Sequence, residues 1–147
     1  MIRVQPEPFD TGAELAALKL GRADIGGSVV FVGTVRDMSD GKGVSAMTLE
    51  HYPGMTEAAL ADIDAEANRR WPLTGSLIVH RYGTLQPGDD IVLVIACSAH
   101  REAAFEACHF LIDWLKTKAP FWKLEADGTE SRWVESKDSD DKAAARW

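Results

Sequence analysis

An α+β fold is what this sequence predicts, and three observations predict it. Short runs rich in β-branched and aromatic residues, among them Ser28 to Val35 and Ile91 to Cys97, read as strands. Ala103 to Leu115 sets Ala104, Ala107, Cys108, Leu111, Ile112 and Leu115 at the spacing of one buried helical face. No repeat, low-complexity segment or linker interrupts the 147 residues, so residues 1–147 are expected to form a single domain. A chain of this length buries about two thirds of the surface its unfolded form exposes, and needs no staple.

The chain opens on a short strand, Ile2 to Gln5. Thr11-Gly12-Ala13-Glu14 has the form of a capping box, with Thr11 in the cap position of a helix that runs to about Leu20 and is closed by Gly21. Gly26-Gly27 leads into the strand Ser28 to Val35, and the polar segment Asp37 to Gly43 reads as a loop. Val44 to Tyr52 alternates as a strand, Pro53-Gly54 turns the chain, and a helix from about Thr56 to Arg70 ends at Trp71-Pro72. Leu77 to Tyr82 and Ile91 to Cys97 are strands joined through the turn Gln86-Pro87-Gly88-Asp89-Asp90. Ser98 stands as the N-cap of the long helix. Pro120 cannot continue that helix and biases Ala119 toward an extended conformation, so the chain leaves as a strand from Phe121 to Lys123 and on to Ala126. A turn at Asp127-Gly128, a last strand from Arg132 to Glu135 and a polar, helical tail from Asp138 to Trp147 complete the order.

Charge narrows the function classes. With 16 Lys and Arg against 23 Asp and Glu, the formal net charge is -7, which does not indicate a broad basic surface for nucleic acid. Any anion site must therefore be local. The longest apolar run, Ile91 to Cys97, falls far short of the roughly 18 residues of a membrane span, and Met1 to Pro6 lacks the apolar core of a signal peptide. A cytoplasmic protein with no membrane partner is expected. Cys97 and Cys108 read as buried core thiols. With His51, His80, His100 and His109 they show no paired ligand spacing, so no metal is expected. Gly26-Gly27 and Gly41-Lys42-Gly43 match neither phosphate-binding glycine pattern.

Local clusters of cations are where the chemistry points. Lys116 and Lys118 fall in the last turn of the long helix, and the turn at Pro120 brings Lys123 back toward Lys116, beside an apolar wall of Phe121 and Trp122. Lys118 is assigned to the helix end, where a cation complements the dipole by about 0.3 to 1 kcal/mol. His100 and Arg101 occupy the start of the same helix, where positive side chains oppose the dipole unless an anion sits there. Pairing of Arg101 with Glu102 or Glu106 is the alternative. Arg36 emerges at the end of a strand, with a salt bridge to Asp37 or Asp40 as its own alternative. Arg132 and Lys137 flank the last strand and read as a solvated face.

These residues resemble a known family, the large, catalytic subunits of molybdopterin synthase. The resemblance rests on Phe31-Val32-Gly33-Thr34-Val35-Arg36, Leu49-Glu50-His51-Tyr52-Pro53-Gly54-Met55, His80-Arg81-Tyr82-Gly83, Pro87-Gly88-Asp89, Ser98-Ala99-His100-Arg101, Lys116 to Lys123, and Arg132-Trp133-Val134-Glu135. It implies an α/β hammerhead fold with an additional antiparallel sheet. It also implies a homodimer at the centre of a heterotetramer, with a small ubiquitin-like sulfur-carrier subunit at each end. The carrier's diglycine C-terminus, as a thiocarboxylate, is expected to deliver sulfur to cyclic pyranopterin monophosphate and build the molybdopterin dithiolene, with no metal or other cofactor. By the same resemblance Lys116 and Lys123 match the catalytic lysines, while Arg36, His100 and Arg101 match residues that bind the pterin phosphate or stabilise developing charge. Phe31 matches a pocket-lining aromatic, with core packing an equal explanation. Lys137 stands where the family commonly has arginine, which keeps the charge and loses the bidentate fork.

Overall fold

The apolar run from Ile91 to Cys97 lies in a strand buried on both faces, and the fold is organised around it. The computed structural model describes residues 1–39, 41–126, 131–134 and 138–147. In chain order the elements are β1 (Ile2–Gln5), α1 (Thr11–Lys19), β2 (Gly27–Thr34), β3 (Met38–Ser39), β4 (Lys42–Gly43), β5 (Ala46–His51) and α2 (Met55–Arg70). There follow β6 (Leu73–Arg81), β7 (Gly83–Leu85), β8 (Asp90–Ser98), α3 (Arg101–Lys118), β9 (Phe121–Ala126), β10 (Ser131–Val134) and α4 (Asp138–Ala144). Two four-stranded sheets, ordered β1-β6-β8-β2 and β10-β9-β5-β7, stand beside a two-stranded ribbon of β3 and β4. This is the α+β architecture the sequence predicts. β1 runs parallel to β6, and the remaining described pairs are antiparallel.

Alternation along β8 divides the core. Val92, Val94 and Ala96 meet Leu60 and Ile63 of α2 and Ala107, Phe110 and Leu111 of α3. Leu93, Ile95 and Cys97 face the other way with Leu77 and Val79 of β6, beneath Phe9, Ile25, and Leu15 and Leu18 of α1. A strand covered on both sides has no polar face to keep, which is why its sequence is continuous rather than alternating. A smaller core of Val35, Met47, Leu49 and Leu85 holds the second sheet to the first.

Several boundaries differ from expectation, each for a local reason. Asp10, not Thr11, caps α1: its Oδ1 accepts the Ala13 N–H at 2.9 Å. Ser98 is not the cap of α3 but ends β8, where its buried hydroxyl donates to the Pro72 carbonyl at 2.9 Å, and His100 takes the cap position without a side-chain bond. The 37–43 loop contains the β3–β4 ribbon, with Gly41 at φ 76°, in the left-handed region that glycine adopts without strain. β6 begins at Leu73 rather than Leu77, because its first residues find pairing partners at the far end of β8. β7 was not expected at all. The turn at 127–128 and Glu135 lie outside the described residues.

Two fastenings set the geometry around Pro120 and the C-terminus. Thr56, fully buried at the start of α2, accepts the Tyr52 N–H and donates to the Pro120 carbonyl, both at 2.9 Å, so α2 holds the turn from which β9 departs. Trp147 packs among Trp71, Phe110 and His109, donates to Asp113 at 2.7 Å, and accepts from Arg70 at 2.8 Å. That contact draws α4 back against α3. Both cysteines are free and buried, and burial pushes the Cys108 thiol up to about 12. Among the described residues no helix is long and apolar enough to cross a membrane.

Candidate active site

Side chains two apart in a strand share a face, so Phe121, Lys123 and Glu125 project together from β9. All three line a cleft of about 450 Å³ between the two sheets. The far end of β2 contributes Phe31 and, just beyond the strand, Arg36. That strand end is pinned by mutual bonds to the 88–89 turn: Val35 N–H to the Asp89 carbonyl at 2.9 Å, and Gly88 N–H to the Val35 carbonyl at 2.8 Å. The last turn of α3 adds Lys116, whose side chain is 46% exposed and whose Nζ stands 4.0 Å from the Asp140 carboxylate of α4.

Phe31, Arg36, Lys116 and Lys123 thus meet in one place. Phe31 serves both expected roles, since it lines the cleft and packs against the main core. Arg36 forms no ion pair with Asp37 among the described residues, and Asp40 lies outside them. Lys118 points away, its ammonium 3.5 Å over the Trp114 ring, consistent with a place at the helix end. The expected aromatic wall is half right. Phe121 lines the cleft, whereas Trp122, on the opposite face of β9, bonds the Tyr52 hydroxyl.

His100 and Arg101 are not in this cleft. Gly27 pairs with Ser98 at one end of the β2–β8 ladder and Thr34 with Asp90 at the other. The start of α3 lies at the Gly27 end, the cleft at the Thr34 end, and eight residues of strand separate them by roughly 25 Å. Both side chains are exposed, and Arg101 pairs with neither Glu102 nor Glu106 among the described residues; Glu106 instead accepts the Trp71 indole at 2.7 Å. Gly26 makes the close approach there possible, since a Cβ at that position would overlap the Ala99 carbonyl oxygen. Lys137 lies outside the described residues.

Sequence reasoning missed three titratable members of the cleft: His80, Glu125 and Asp140. The available signal was that His80 ends the apolar run Leu77-Ile78-Val79, and the structure buries it to 4% exposure. Its ring stacks on Phe121 with centroids 3.8 Å apart and planes 18° apart. Nδ1 lies 2.8 Å from the Arg81 carbonyl, which can only accept, so Nδ1 carries the hydrogen. Burial pushes the imidazole down to about 4 against the pull of that carbonyl, and Lys123 and His51 add to the fall. His80 is therefore neutral at neutral pH. Chemically, the cleft offers ammonium and guanidinium groups beside an aromatic wall, which suits a planar, anionic substrate.

Comparison with known proteins places the chain in a family. Residues 4–118 match the family model described as MoaE protein. The chain is 57% identical over 146 residues to the molybdopterin synthase catalytic subunit of Pseudomonas aeruginosa, covering 99% of this chain and 97% of that one. It is similar to the solved molybdopterin biosynthesis MoaE protein of Burkholderia ambifaria MC40-6, with a TM-score of 0.86 and 52% identity over 100% of this chain and 97% of that one. The fold also matches a chain in the protein-protein complex of subunits 1 and 2 of the molybdopterin-converting factor of Helicobacter pylori 26695. There the TM-score is 0.76 at 20% identity, over 92% and 91% of the two chains. With the family model spanning residues 4–118 and a relative 57% identical over nearly the whole of both chains, the chain belongs to the MoaE family, the enzyme family of the molybdopterin synthase catalytic subunits.

Proposed function

We propose that this chain, as one domain over residues 1–147, takes sulfur from the thiocarboxylated diglycine C-terminus of a small ubiquitin-like carrier subunit. It delivers that sulfur to cyclic pyranopterin monophosphate, and two transfers build the dithiolene of molybdopterin. The observation that carries this reading is the convergence of Arg36, Lys116 and Lys123 with Phe31 in one cleft of a MoaE-family chain. The carrier's sulfur bonds to the pterin as a thioester, and water then attacks the acyl carbon, breaking the C–S bond, supplying the oxygen of the released carboxylate and leaving the sulfur on the pterin. This hydrolysis and the opening of the cyclic phosphate both develop negative charge. Preorganised cations held near that charge favour the transition state over the ground state. Lys116, at the rim, moves the proton; Lys123, on the floor beside Phe121, stabilises the departing carboxylate. The planar fork of Arg36 suits the phosphate, and Phe31 faces the pterin ring. Lys137 adds a point charge to substrate binding.

Because His100 and Arg101 sit about 25 Å from the cleft of their own chain, they reach a substrate there only from a second copy. The reading is therefore a homodimer whose two clefts are each completed by the partner copy, with one carrier docked at each end. The naming of the Pseudomonas relative as a catalytic subunit, and the two-subunit Helicobacter complex, support a companion subunit. The assembly is placed in the cytoplasm. Incubation with thiocarboxylated carrier and cyclic pyranopterin monophosphate tests the reading. Molybdopterin should form only when all three components are present, and carrier binding without product would reduce the chain to a binding module.

A further inference from the structure

The mechanism above leaves His80 without a task, although its ring is buried in the cleft wall. A histidine that only filled space would be replaceable by any flat apolar ring. The surroundings of this one are more particular. The Phe121 stack fixes the plane of the imidazole, and the bond to the Arg81 carbonyl fixes which nitrogen bears the hydrogen. Nε2 is left with a bare lone pair, and among the described residues no hydrogen bond to it is formed. Phe121, on which the ring lies, is two residues before Lys123 on the same face of β9, which puts the two Cα atoms about 7 Å apart. His80 and Lys123 line the same cleft, where the Lys123 charge acts on the imidazole, and an ammonium has three hydrogens to donate.

We propose that His80 is a positioning residue for Lys123: held by Phe121 and the Arg81 carbonyl, it presents Nε2 as a neutral acceptor that orients the Lys123 ammonium without adding positive charge. The inference rests on the sulfur-transfer reading for its consequence in catalysis, but not for the contact itself. A neutral acceptor matters here because Arg36, Lys116 and Lys123 already share the cleft, and an imidazolium among them would repel the group it is meant to hold. Glu125 and Asp140 complete the charged lining. The depressed basicity of His80 agrees with this role.

Three variants separate the role from packing. His80→Phe keeps the stack and loses both polar atoms; His80→Asn keeps a donor near Nδ1 and loses the acceptor; His80→Gln places an amide oxygen near Nε2. In turnover with thiocarboxylated carrier, His80→Phe and His80→Asn should lose about tenfold or more in kcat with little change in KM for the pterin, and His80→Gln should recover most of that loss. Wild-type turnover by His80→Phe overturns the proposal, and so do equal rates for the Asn and Gln variants should the Phe variant fail to fold. A second measurement is independent of sulfur transfer. In the ¹⁵N spectrum of the wild-type protein Nδ1 should carry the proton, and the bare Nε2 resonance should move on Lys123→Met. A ring protonated at Nε2, or a resonance that stays in place, overturns the proposal even if molybdopterin is formed. Loss of turnover in the wild type with the ¹⁵N signature intact would instead refute the sulfur-transfer reading alone.

Discussion

Replacing His80 with phenylalanine removes a pH dependence of stability whose size follows from where the imidazole sits. In the unfolded chain the group titrates at an ordinary 6.5; in the fold, burial and the neighbouring Lys123 charge hold it down to about 4. Between those values the unfolded state binds a proton that the folded state refuses, so stability rises with pH across the window. The contribution is complete above about pH 6.5 and is lost as the pH falls toward 4. At about 1.4 kcal/mol per pH unit, the wild type should lose roughly 2 to 3 kcal/mol through this group between pH 7 and pH 4.5. Phenylalanine keeps a ring on Phe121 and has nothing to titrate. Carboxylates such as Glu66, held near 2 by Arg69 and Arg70, change alike in both proteins and drop out of the difference. The assay is urea unfolding at fixed protein concentration from pH 4.5 to 7.5. Parallel pH profiles for wild type and His80→Phe would refute the reasoning, whatever the offset between them.

Other outcomes follow from the same geometry. Lys116→Ala and Arg101→Ala homodimers should each be inactive, and mixing them with subunit exchange should restore about a quarter of wild-type turnover, since half the dimers then carry one complete cleft; no recovery would place both residues in one chain's site. Cys97→Ala/Cys108→Ala should retain sulfur transfer once folded, because the sulfur comes from the carrier, and the Cys108 thiol, pushed up to about 12 by burial, should resist a thiol reagent at pH 8 until the chain is unfolded. Gly26→Ala, whose new methyl would overlap the Ala99 carbonyl oxygen, should cost about 2 to 4 kcal/mol in urea unfolding, and an unchanged midpoint would show that the β2 entrance yields.

What the residues announced and what they hid divide along physical lines. The span of α3 and the exit into β9 were legible, because apolar spacing and Pro120 are local signals. The meeting of Lys116 and Lys123 followed from that turn. His80, Glu125 and Asp140 were not legible as a group, since their common cleft exists only once β6, β9 and α4 come together. Ser98 misled for a related reason: a serine before a helix looks like a cap, but the β8 ladder extends through it and the Pro72 carbonyl takes its hydrogen. The separation of His100 and Arg101 from the other cations depends on strand register, a long-range property that no local pattern encodes.

Single-turnover sulfur transfer by Lys116→Ala tests the central claim most directly. Thiocarboxylated carrier and cyclic pyranopterin monophosphate are mixed with the variant, and carrier binding is measured beside product. The cleft chemistry predicts wild-type carrier affinity with turnover abolished, the thiocarboxylate remaining on the carrier. Molybdopterin formed at the wild-type rate would contradict it, and would remove the cleft's first cation from the reaction.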